Sequence, residues 1–222
     1  MTKNKATNLP SLHGVKDASL VVDILKTYNI GNWRSPGGTD KEQLASEEQG
    51  PEHHSYGAVY QAIIKHLAKP SAIKQVLEIG IQRGGSLLLW QQMCPKAMVI
   101  GLDIEAKISS NISELLDSER VKTLWTNAYS DDGIKKIQNV TSQKFCLIID
   151  DGPHDKRSQE SFLTLYLPLL RSGGVAVIED IQTEKTMKEL FEQVPSGYKT
   201  QMIDRRNVNG RWDDLLLVIE KL

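Results

Sequence analysis

The stretch Gln75-Val-Leu-Glu-Ile-Gly-Ile-Gln-Arg-Gly-Gly-Ser86 decides how this chain is expected to fold. It begins with an apolar run typical of a buried strand and continues through glycines into a helical pattern that starts at Ser86. Because Gly80 and Gly84 have no side chain, a ligand can approach the backbone where the first N–H groups of the helix lack intrahelical partners. The alternative is that these glycines only form a tight strand-to-helix turn.

Short apolar runs alternate with helical patterns from Gln75 onward, which is typical of a parallel sheet with crossover helices. The last two runs flank a polar loop, 204–214, and predict an antiparallel hairpin. We therefore expect an α/β fold whose doubly wound, mostly parallel, seven-stranded sheet is Rossmann-like and ends in this hairpin. The predicted strands are 75–79, 98–103, 121–126, 145–150, 175–179, 198–203 and 215–219. The predicted helices of this region are 86–94, 108–116, 132–139, 157–170 and 186–193.

Two glycines, Gly173-Gly174, follow the fourth of these helices and are expected to close it, since glycine adopts the left-handed conformation of a helix C-terminus at little cost.

The first part of the chain has a different pattern. Helical apolar spacing at 15–28 and 56–67 flanks a polar stretch, 31–55. A stretch of that length without regular structure is typical of a lid, a binding loop or disorder. We expect an N-terminal helical and lid segment over 1–70 and a core over 71–222.

The composition narrows the classes of partner. The chain has 27 basic and 28 acidic residues and a net charge of -1, so it lacks the positive field that nucleic acids and anionic membranes attract. No apolar run approaches membrane-spanning length, and the polar start does not resemble a signal peptide. Cys94 and Cys146 lack metal-ligand spacing and predict buried thiols in a reducing compartment. We expect a cytoplasmic protein without nucleic-acid or membrane partners; a homo-oligomer is left open.

Two acidic pairs follow apolar runs, Asp150-Asp151 and Glu179-Asp180. Because ligands gather beyond the carboxyl ends of parallel strands, both pairs are expected to line one crevice. Carboxylates at close range repel unless a proton or a cation neutralises them, and an all-oxygen ligand set suits Mg²⁺, Ca²⁺ or Mn²⁺ better than Zn²⁺. The alternative, helix capping, accounts for one carboxylate per helix and leaves the others unexplained.

Two more carboxylates are expected at the nucleotide end of the crevice. Asp103 ends the second predicted strand, where it can accept hydrogen bonds from ribose hydroxyls. Gly80 and Gly84 lack the spacing of a dinucleotide motif, and Glu78 suits a sulfonium or a cationic amino acid better than a pyrophosphate. The pattern favours S-adenosylmethionine over NAD. In the alternative interpretation, Glu78 and Asp103 are solvated strand ends.

Several motifs carry a resemblance to a known family. They are Gly38-Thr-Asp-Lys41 with His54-Ser-Tyr56 and Tyr60, Leu77-Glu-Ile-Gly80 with the glycines up to Ser86, Asp150-Asp-Gly-Pro-His154, and Ile178-Glu-Asp180. With the terminal hairpin, they resemble the class I S-adenosylmethionine-dependent methyltransferase fold. More narrowly, they resemble the metal-dependent sugar O-methyltransferases of macrolide and related antibiotic pathways, the mycinamicin methyltransferase group. The resemblance runs from about Gly37 to the C-terminus.

The resemblance implies a Mg²⁺-dependent enzyme that moves the methyl of S-adenosylmethionine to a hydroxyl of a sugar or other vicinal diol on a small natural product. It implies that Asp151, Glu179 and Asp180 bind the metal and that His154 takes the hydroxyl proton. The implied cofactor-binding residues are Glu78, Gly80, Gly84, Ser86, Asp103 and Asp150. The implied substrate or lid residues are Thr39, Asp40, His54, Tyr56 and Tyr60.

The chain also departs from the family pattern. Asn127-Ala-Tyr-Ser-Asp131 stands where Gly-Asp-Gln-Ser-Asp is common, and the interval between Lys41 and His53 is longer than expected. Adenine contacts and acceptor specificity are therefore not carried over. A catechol-type O-methyltransferase and a protein that binds S-adenosylmethionine without turnover are the alternatives. The two-histidine-one-carboxylate triad of Fe(II) oxygenases is not evident, since His154 is the only histidine of the predicted sheet region.

Three other features have simpler interpretations. His154 alone would be a residue at a helix start whose ring hydrogen-bonds to backbone. Arg211 and Asp213-Asp214 predict a solvated ion-pair cluster. Of the four tryptophans, which are expected to be packing residues, Trp33 in the polar loop is the one placed to face an acceptor ring.

Overall fold

Seven strands form a single sheet in the computed structural model, which describes residues 8–42, 44, 53–67 and 72–222. The strands are β1 (Gln75–Ile79), β2 (Met98–Asp103), β3 (Val121–Trp125), β4 (Phe145–Asp150), β5 (Leu170–Ile178), β6 (Tyr198–Asp204) and β7 (Leu215–Lys221). Their order is β3-β2-β1-β4-β5-β7-β6, and β7 is antiparallel to both of its neighbours. The expected α/β fold with a C-terminal antiparallel hairpin is confirmed.

The helices alternate with the strands much as the apolar spacing predicts. They are α1 (Ser19–Thr27), α2 (Gly57–His66), α3 (Gly85–Met93), α4 (Ser110–Ser113), α5 (Asp131–Val140), α6 (Lys156–Tyr166), α7 (Glu184–Gln193) and α8 (Arg206–Asn209). The helix expected over 108–116 is only the single turn of α4, and α8 interrupts the loop of the terminal hairpin. Part of the expected lid, residues 43 and 45–52, lies outside the described residues.

The expected role of Gly173-Gly174 is wrong, because both glycines lie within β5. The helix has already ended at Tyr166, and a 3₁₀ turn, Leu167–Leu169, leads directly into the strand. Phe145 of β4 pairs with Leu170, but Leu147 pairs with Val175. The residues of β5 between these two pairs, the glycines among them, therefore outnumber those of β4, and the pairing is irregular at the start of the strand.

The sheet separates two helical layers, and β1 lies at its centre between β2 and β4. Leu77 of β1 belongs to the core that contains Phe162 of α6 and Leu190 of α7. Val76 belongs to the other core, with α1, α2 and α3. Because successive side chains of a strand point to opposite faces, Glu78 points into the same layer as Val76.

The N-terminal helices pack on the sheet rather than apart from it. Val21 and Leu25 of α1 and Val59 and Ile63 of α2 are completely buried in the same core as Val76. The division into a 1–70 segment and a 71–222 core stays a prediction. Among the described residues, no helix is both long and apolar enough to cross a membrane.

The end of β1 passes very close to the end of β4 at Gly80. Gly80 has a φ of +82°, and a Cβ there would lie 1.8 Å from the carbonyl oxygen of Asp151. The Asp151 amide in turn donates to the carbonyl of Ile79 at 2.9 Å. A side chain at position 80 would therefore separate the two strand ends that carry the glycine loop and the first acidic pair.

We predict that Gly80→Ala destabilises the fold by about 4 kcal/mol, since it combines an unfavourable positive φ with overlap onto backbone. The measurement is urea unfolding followed by circular dichroism. Gly197→Ala is the matched control, because Gly197 also has a positive φ, +92°, but nothing lies within 4 Å of its added Cβ. It should lose only about 1 kcal/mol. Equal losses would show that the approach to Asp151 does not matter.

Candidate active site

Two adjoining cavities lie at the carboxyl ends of the parallel strands. The first, which we name the acidic cavity, has a volume of about 260 Å³, and the second, the apolar cavity, about 350 Å³. Gly80, Gln82 and Asp151 line both of them. The acidic cavity is also lined by Trp33, Gly38, Thr39, Asp40, Ile81, Gly85, Ser86, His154, Asp180, Arg211 and Asp213. The apolar cavity is also lined by Ile79, Leu102, Asp103, Ile104, Thr126, Asn127, Ala128, Tyr129, Gly152 and Pro153.

The apolar cavity is lined in part by Ile79, Leu102 and Ile104, and Asp103 is one of its polar lining residues. Asp103 accepts backbone hydrogen bonds from Ile81 and Gln82 at 3.1 and 2.8 Å through Oδ2, and from Glu105 at 3.1 Å through Oδ1. A carboxylate offers about four acceptor positions, so Asp103 can hold the glycine loop and still accept from ribose hydroxyls.

The glycines of the loop serve close packing of the chain on itself. Gly84 has a φ of +91° at the start of α3. A Cβ at Gly85 would lie 2.4 Å from the carbonyl oxygen of Gly37. Gly38 and Gly85 line the acidic cavity together. The loop thus brings the N-terminal segment against the first turn of α3, where a ligand would meet both.

Glu78 does not line either cavity. Its side chain is completely buried beneath the loop, where Oε2 accepts from Ser86 Oγ at 2.6 Å and Oε1 lies 3.7 Å from Lys41 Nζ. Burial raises the pKa of this carboxyl to about 7, although the charge of Lys41 opposes the shift. Its position follows from strand alternation, since Glu78 precedes the last residue of β1 and its side chain enters the helical layer.

Asp151, His154 and Asp180 come together on the wall of the acidic cavity. One ligand atom from each lies within 4.8 Å of the others. His154 Nε2 is 3.5 Å from Asp180 Oδ2 and 3.9 Å from Asp151 Oδ1. Both His154 and Asp180 have a positive φ, +58° and +52°. Residues other than glycine rarely adopt a positive φ, and such backbone strain is common where a site requires a particular side-chain orientation.

Glu179, the third expected metal ligand, is turned away from the cavity. It is completely buried, and its two oxygens accept from the hydroxyl of Tyr60, at 2.5 Å, and from the ammonium of Lys41. The same ammonium lies 2.5 Å from Asp151 Oδ2. Burial works to lower the pKa of Lys41, but the charges of Asp151 and Glu179 outweigh it and hold this pKa well above its usual value.

Lys41 is the residue that sequence reasoning left without a role. It belongs to the Gly38-Thr-Asp-Lys41 motif, of which only Thr39 and Asp40 were expected to contribute to the site. The sequence signal for a role of Lys41 is its position in this motif, which is one of those that carry the family resemblance. Its contacts are with Asp151 and Glu179, which follow β4 and β5. Both lie more than a hundred residues away in sequence, so no local pattern predicts these contacts.

Asp150 is buried on the opposite face of the sheet from Lys41. Its Oδ1 accepts from the hydroxyl of Tyr129, a residue of the stretch that departs from the family pattern. Burial raises the pKa of Asp150 to about 7, and the hydrogen bond from Tyr129 opposes that shift. Asp150 thus ties the wall of the apolar cavity to the end of β4.

Three of the expected substrate or lid residues do not line the cavities but contact the acidic residues on their buried side. They are His54, Tyr56 and Tyr60. Tyr56 donates to Asp180 Oδ1 at 2.5 Å, and its ring stacks on that of His54. His54 Nε2 is 3.3 Å from the same Asp180 oxygen. Burial opposes a charged imidazole, but hydrogen bonds to Asp180 and Asp214 raise the pKa of His54 to about 10.

The expectation that Asp213-Asp214 is a solvated cluster is wrong. Asp214 is completely buried and accepts from His54 Nδ1 at 2.5 Å and from the backbone and hydroxyl of Ser55 at 3.1 and 2.8 Å. Asp213 is also buried and forms an ion pair with Arg211 on the wall of the acidic cavity. The hairpin loop therefore anchors the segment that carries His54, a tertiary contact without a local sequence pattern.

A family of known proteins matches this chain over residues 57–200, and its description is rhamnosyl O-methyltransferase/CmcI. That match covers more than half of the chain and includes the glycine loop, both acidic pairs and His154. The chain belongs to this family. The expected resemblance to sugar O-methyltransferases of antibiotic pathways is therefore confirmed.

Curated proteins are similar to this chain over about half of its length. A tetracenomycin rhamnosyl 3'-O-methyltransferase of Streptomyces olivaceus is 32% identical over 116 residues, which are 49% of this chain and 28% of that protein. Mycinamicin VI 2''-O-methyltransferase of Micromonospora griseorubida is 34% identical over 117 residues, 49% of this chain and 27% of that protein. The chain thus matches less than a third of the length of these relatives.

Solved structures of other proteins have the same fold as this chain. MycE, a methyltransferase of the mycinamycin pathway solved with Mg and S-adenosylhomocysteine, has a TM-score of 0.63 at 19% identity, over 94% of this chain and 56% of that one. An O-methyltransferase from Bacillus cereus has a TM-score of 0.61 at 17% identity, over 93% and 92% of the two chains. Both likenesses confirm the methyltransferase fold.

We predict that the stability of the wild type falls as pH rises because Glu78 loses its proton, and that Glu78→Gln abolishes this fall. The carboxyl has a pKa of about 7 when folded against an ordinary 4.5, so the folded chain keeps the proton longer as pH rises. Wild-type stability should therefore fall between pH 4.5 and 7 by about 3 kcal/mol relative to the variant.

The measurement is urea unfolding at several pH values. Glu114→Gln is the control, since Glu114 is exposed and should leave the wild-type profile unchanged. Wild-type and Glu78→Gln curves that run parallel across this range would contradict the prediction.

Proposed function

We propose that this chain is a metal-dependent O-methyltransferase that transfers the methyl of S-adenosylmethionine to a hydroxyl of a sugar or other vicinal diol on a small natural product. The observation that carries the proposal is the grouping of Asp151, His154 and Asp180 where the acidic and apolar cavities adjoin. Membership in the rhamnosyl O-methyltransferase/CmcI family supports the reaction class.

The two cavities suit the two halves of the methyl donor. The apolar cavity accommodates the adenine, and Asp103 at its edge accepts from the ribose hydroxyls. The methionine part extends past Gly80 and Gln82, which line both cavities, toward Ser86. Glu78 contributes from beneath the loop by fixing Ser86 rather than by facing the sulfonium.

The donor atoms on the wall of the acidic cavity fit a hard divalent cation. Asp151 and Asp180 present carboxylate oxygens, which Mg²⁺ prefers over imidazole nitrogen. When bound there, the metal would supply charge that makes an acceptor hydroxyl more acidic. Thr39, Asp40 and Trp33 form the part of the wall that an acceptor sugar would contact.

His154 is the proposed general base. Its ring is partly exposed at the cavity, so a hydroxyl can reach Nε2, whereas His54 is buried and held between Asp180 and Asp214. Asp180 lies 3.5 Å from His154 Nε2 and stabilises the imidazolium after proton transfer. A base in this position aligns the acceptor hydroxyl and accepts its proton as the hydroxyl oxygen attacks the methyl carbon of the donor.

We predict that His154→Ala lowers kcat by about 10² to 10⁴ while leaving the dissociation constant for S-adenosylmethionine unchanged. Methyl transfer from labelled S-adenosylmethionine to a panel of glycosides and catechols measures the rate, and calorimetry measures the binding. His13→Ala is the matched control, since His13 is an exposed histidine outside the cavities.

The same assay with Mg²⁺ or with a chelator tests the metal, with Asp180→Asn set against the exposed Asp23→Asn. Activity that survives the chelator and both Asp180→Asn and His154→Ala would refute the proposed mechanism. Transfer to catechols but not to glycosides would assign a catechol-type acceptor. Binding of S-adenosylmethionine without transfer to any diol would assign a non-catalytic role.

A further inference from the structure

A buried ammonium lies beside Asp151, one of the two carboxylates of the proposed metal site. Lys41 is 1% exposed, and its Nζ contacts Glu179 Oε2, lies 2.5 Å from Asp151 Oδ2 and 3.7 Å from Glu78 Oε1. The three acidic partners lie at the ends of different strands: Asp151 follows β4, Glu179 follows β5, and Glu78 is the next-to-last residue of β1. One cation from the N-terminal segment therefore lies close to carboxyl groups at the ends of three strands of the sheet.

The ammonium and a metal ion would share one carboxylate. Asp151 presents Oδ2 to Lys41 and Oδ1 toward His154, on the side of the acidic cavity. Glu179 has both oxygens engaged, by Lys41 and by Tyr60. A divalent ion on Asp151 would repel the ammonium across a single carboxylate, and it could recruit Glu179 only if Lys41 left.

Lys41 directly follows two residues of the wall of the acidic cavity. It follows Thr39 and Asp40, which line that cavity, in the same segment. The Lys41 carbonyl accepts from the amide of Tyr56 at 2.9 Å, and the Asp40 carbonyl accepts from His54 at 2.8 Å. Displacement of the Lys41 side chain would therefore loosen a segment that borders the donor and acceptor sites.

Burial makes this ion pair unlike a surface contact. A buried charge is costly unless it is paired, and removing one partner leaves the other uncompensated. Without Lys41, the carboxylates of Asp151 and Glu179 would require another cation. A divalent metal can supply that charge, because the neighbouring Asp180 offers it a further carboxylate oxygen.

We propose that Lys41 is an internal counter-cation that competes with the divalent metal for Asp151 and Glu179. Metal binding then releases the segment 39–41 from its backbone hydrogen bonds with His54 and Tyr56. The proposal rests on the proposed metal site. It makes Lys41 a positioning residue, because Lys41 acts through the carboxylates and not on the acceptor.

The test is a calorimetric titration of Mg²⁺ and Mn²⁺ into the full chain, which needs neither methyl donor nor acceptor. Lys41→Met should bind either ion about tenfold or more tightly than the wild type, since the competing charge is gone. Lys65→Met is the matched control, because Lys65 is 68% exposed in a surface ion pair. Equal or weaker binding by Lys41→Met would overturn the proposal.

A measurement on the wild type keeps the proposal testable if Lys41→Met does not fold. Hydrogen exchange should become faster at the amides of His54 and Tyr56 when saturating Mg²⁺ is added. Unchanged or slower exchange at both amides would overturn the release of the segment.

These results separate the proposal from the proposed function. A wild type that binds metal and transfers methyl, with a Lys41→Met variant that binds no better, refutes only the role of Lys41. Tight metal binding by Lys41→Met, in a protein that methylates no diol, supports the competition and refutes the proposed reaction. Absence of metal binding in both proteins overturns the competition.

Discussion

Neutralisation of carboxylates at the ends of the parallel strands is the constraint on which this structure depends. Glu78, Asp151, Glu179 and Asp180 are brought close together because β1, β4 and β5 run in the same direction and end at the same edge. Burial makes their mutual repulsion costly, so the chain must supply positive charge or protons there. The N-terminal segment does so with Lys41, which reaches Asp151 and Glu179, and the segment around His54 does so at Asp180.

The alternation of side chains along a strand then divides these acidic residues between different tasks. Glu78 enters the layer of α2 and α3 and supports the glycine loop through Ser86, while Asp150 meets Tyr129 beside the apolar cavity. Asp151 and Asp180 follow the strand ends and face the acidic cavity with His154. The carboxyl groups at the strand ends are thus divided into a group that supports the backbone and a group that faces ligands.

The N-terminal part of the chain is integral to this arrangement. Its helices share the core of the sheet, and its polar segment forms one wall of the acidic cavity. Asp214, in the hairpin loop, anchors that segment from the other end of the chain through His54 and Ser55. The site is therefore assembled from residues near both termini and from the strand ends between them, within a family whose curated relatives are much longer proteins.

Periodic apolar runs in the sequence determined the strands and their connections, since a buried strand and an amphipathic helix have different repeats. The motifs determined the family, because the glycine loop, the acidic pairs and His154 are local in sequence. Only the tertiary structure decided the direction of each carboxylate: Glu179 turns to Lys41 and Tyr60, and Asp214 is buried against His54. Those contacts join residues far apart in the chain, and their geometry depends on packing between layers, for which no local pattern exists.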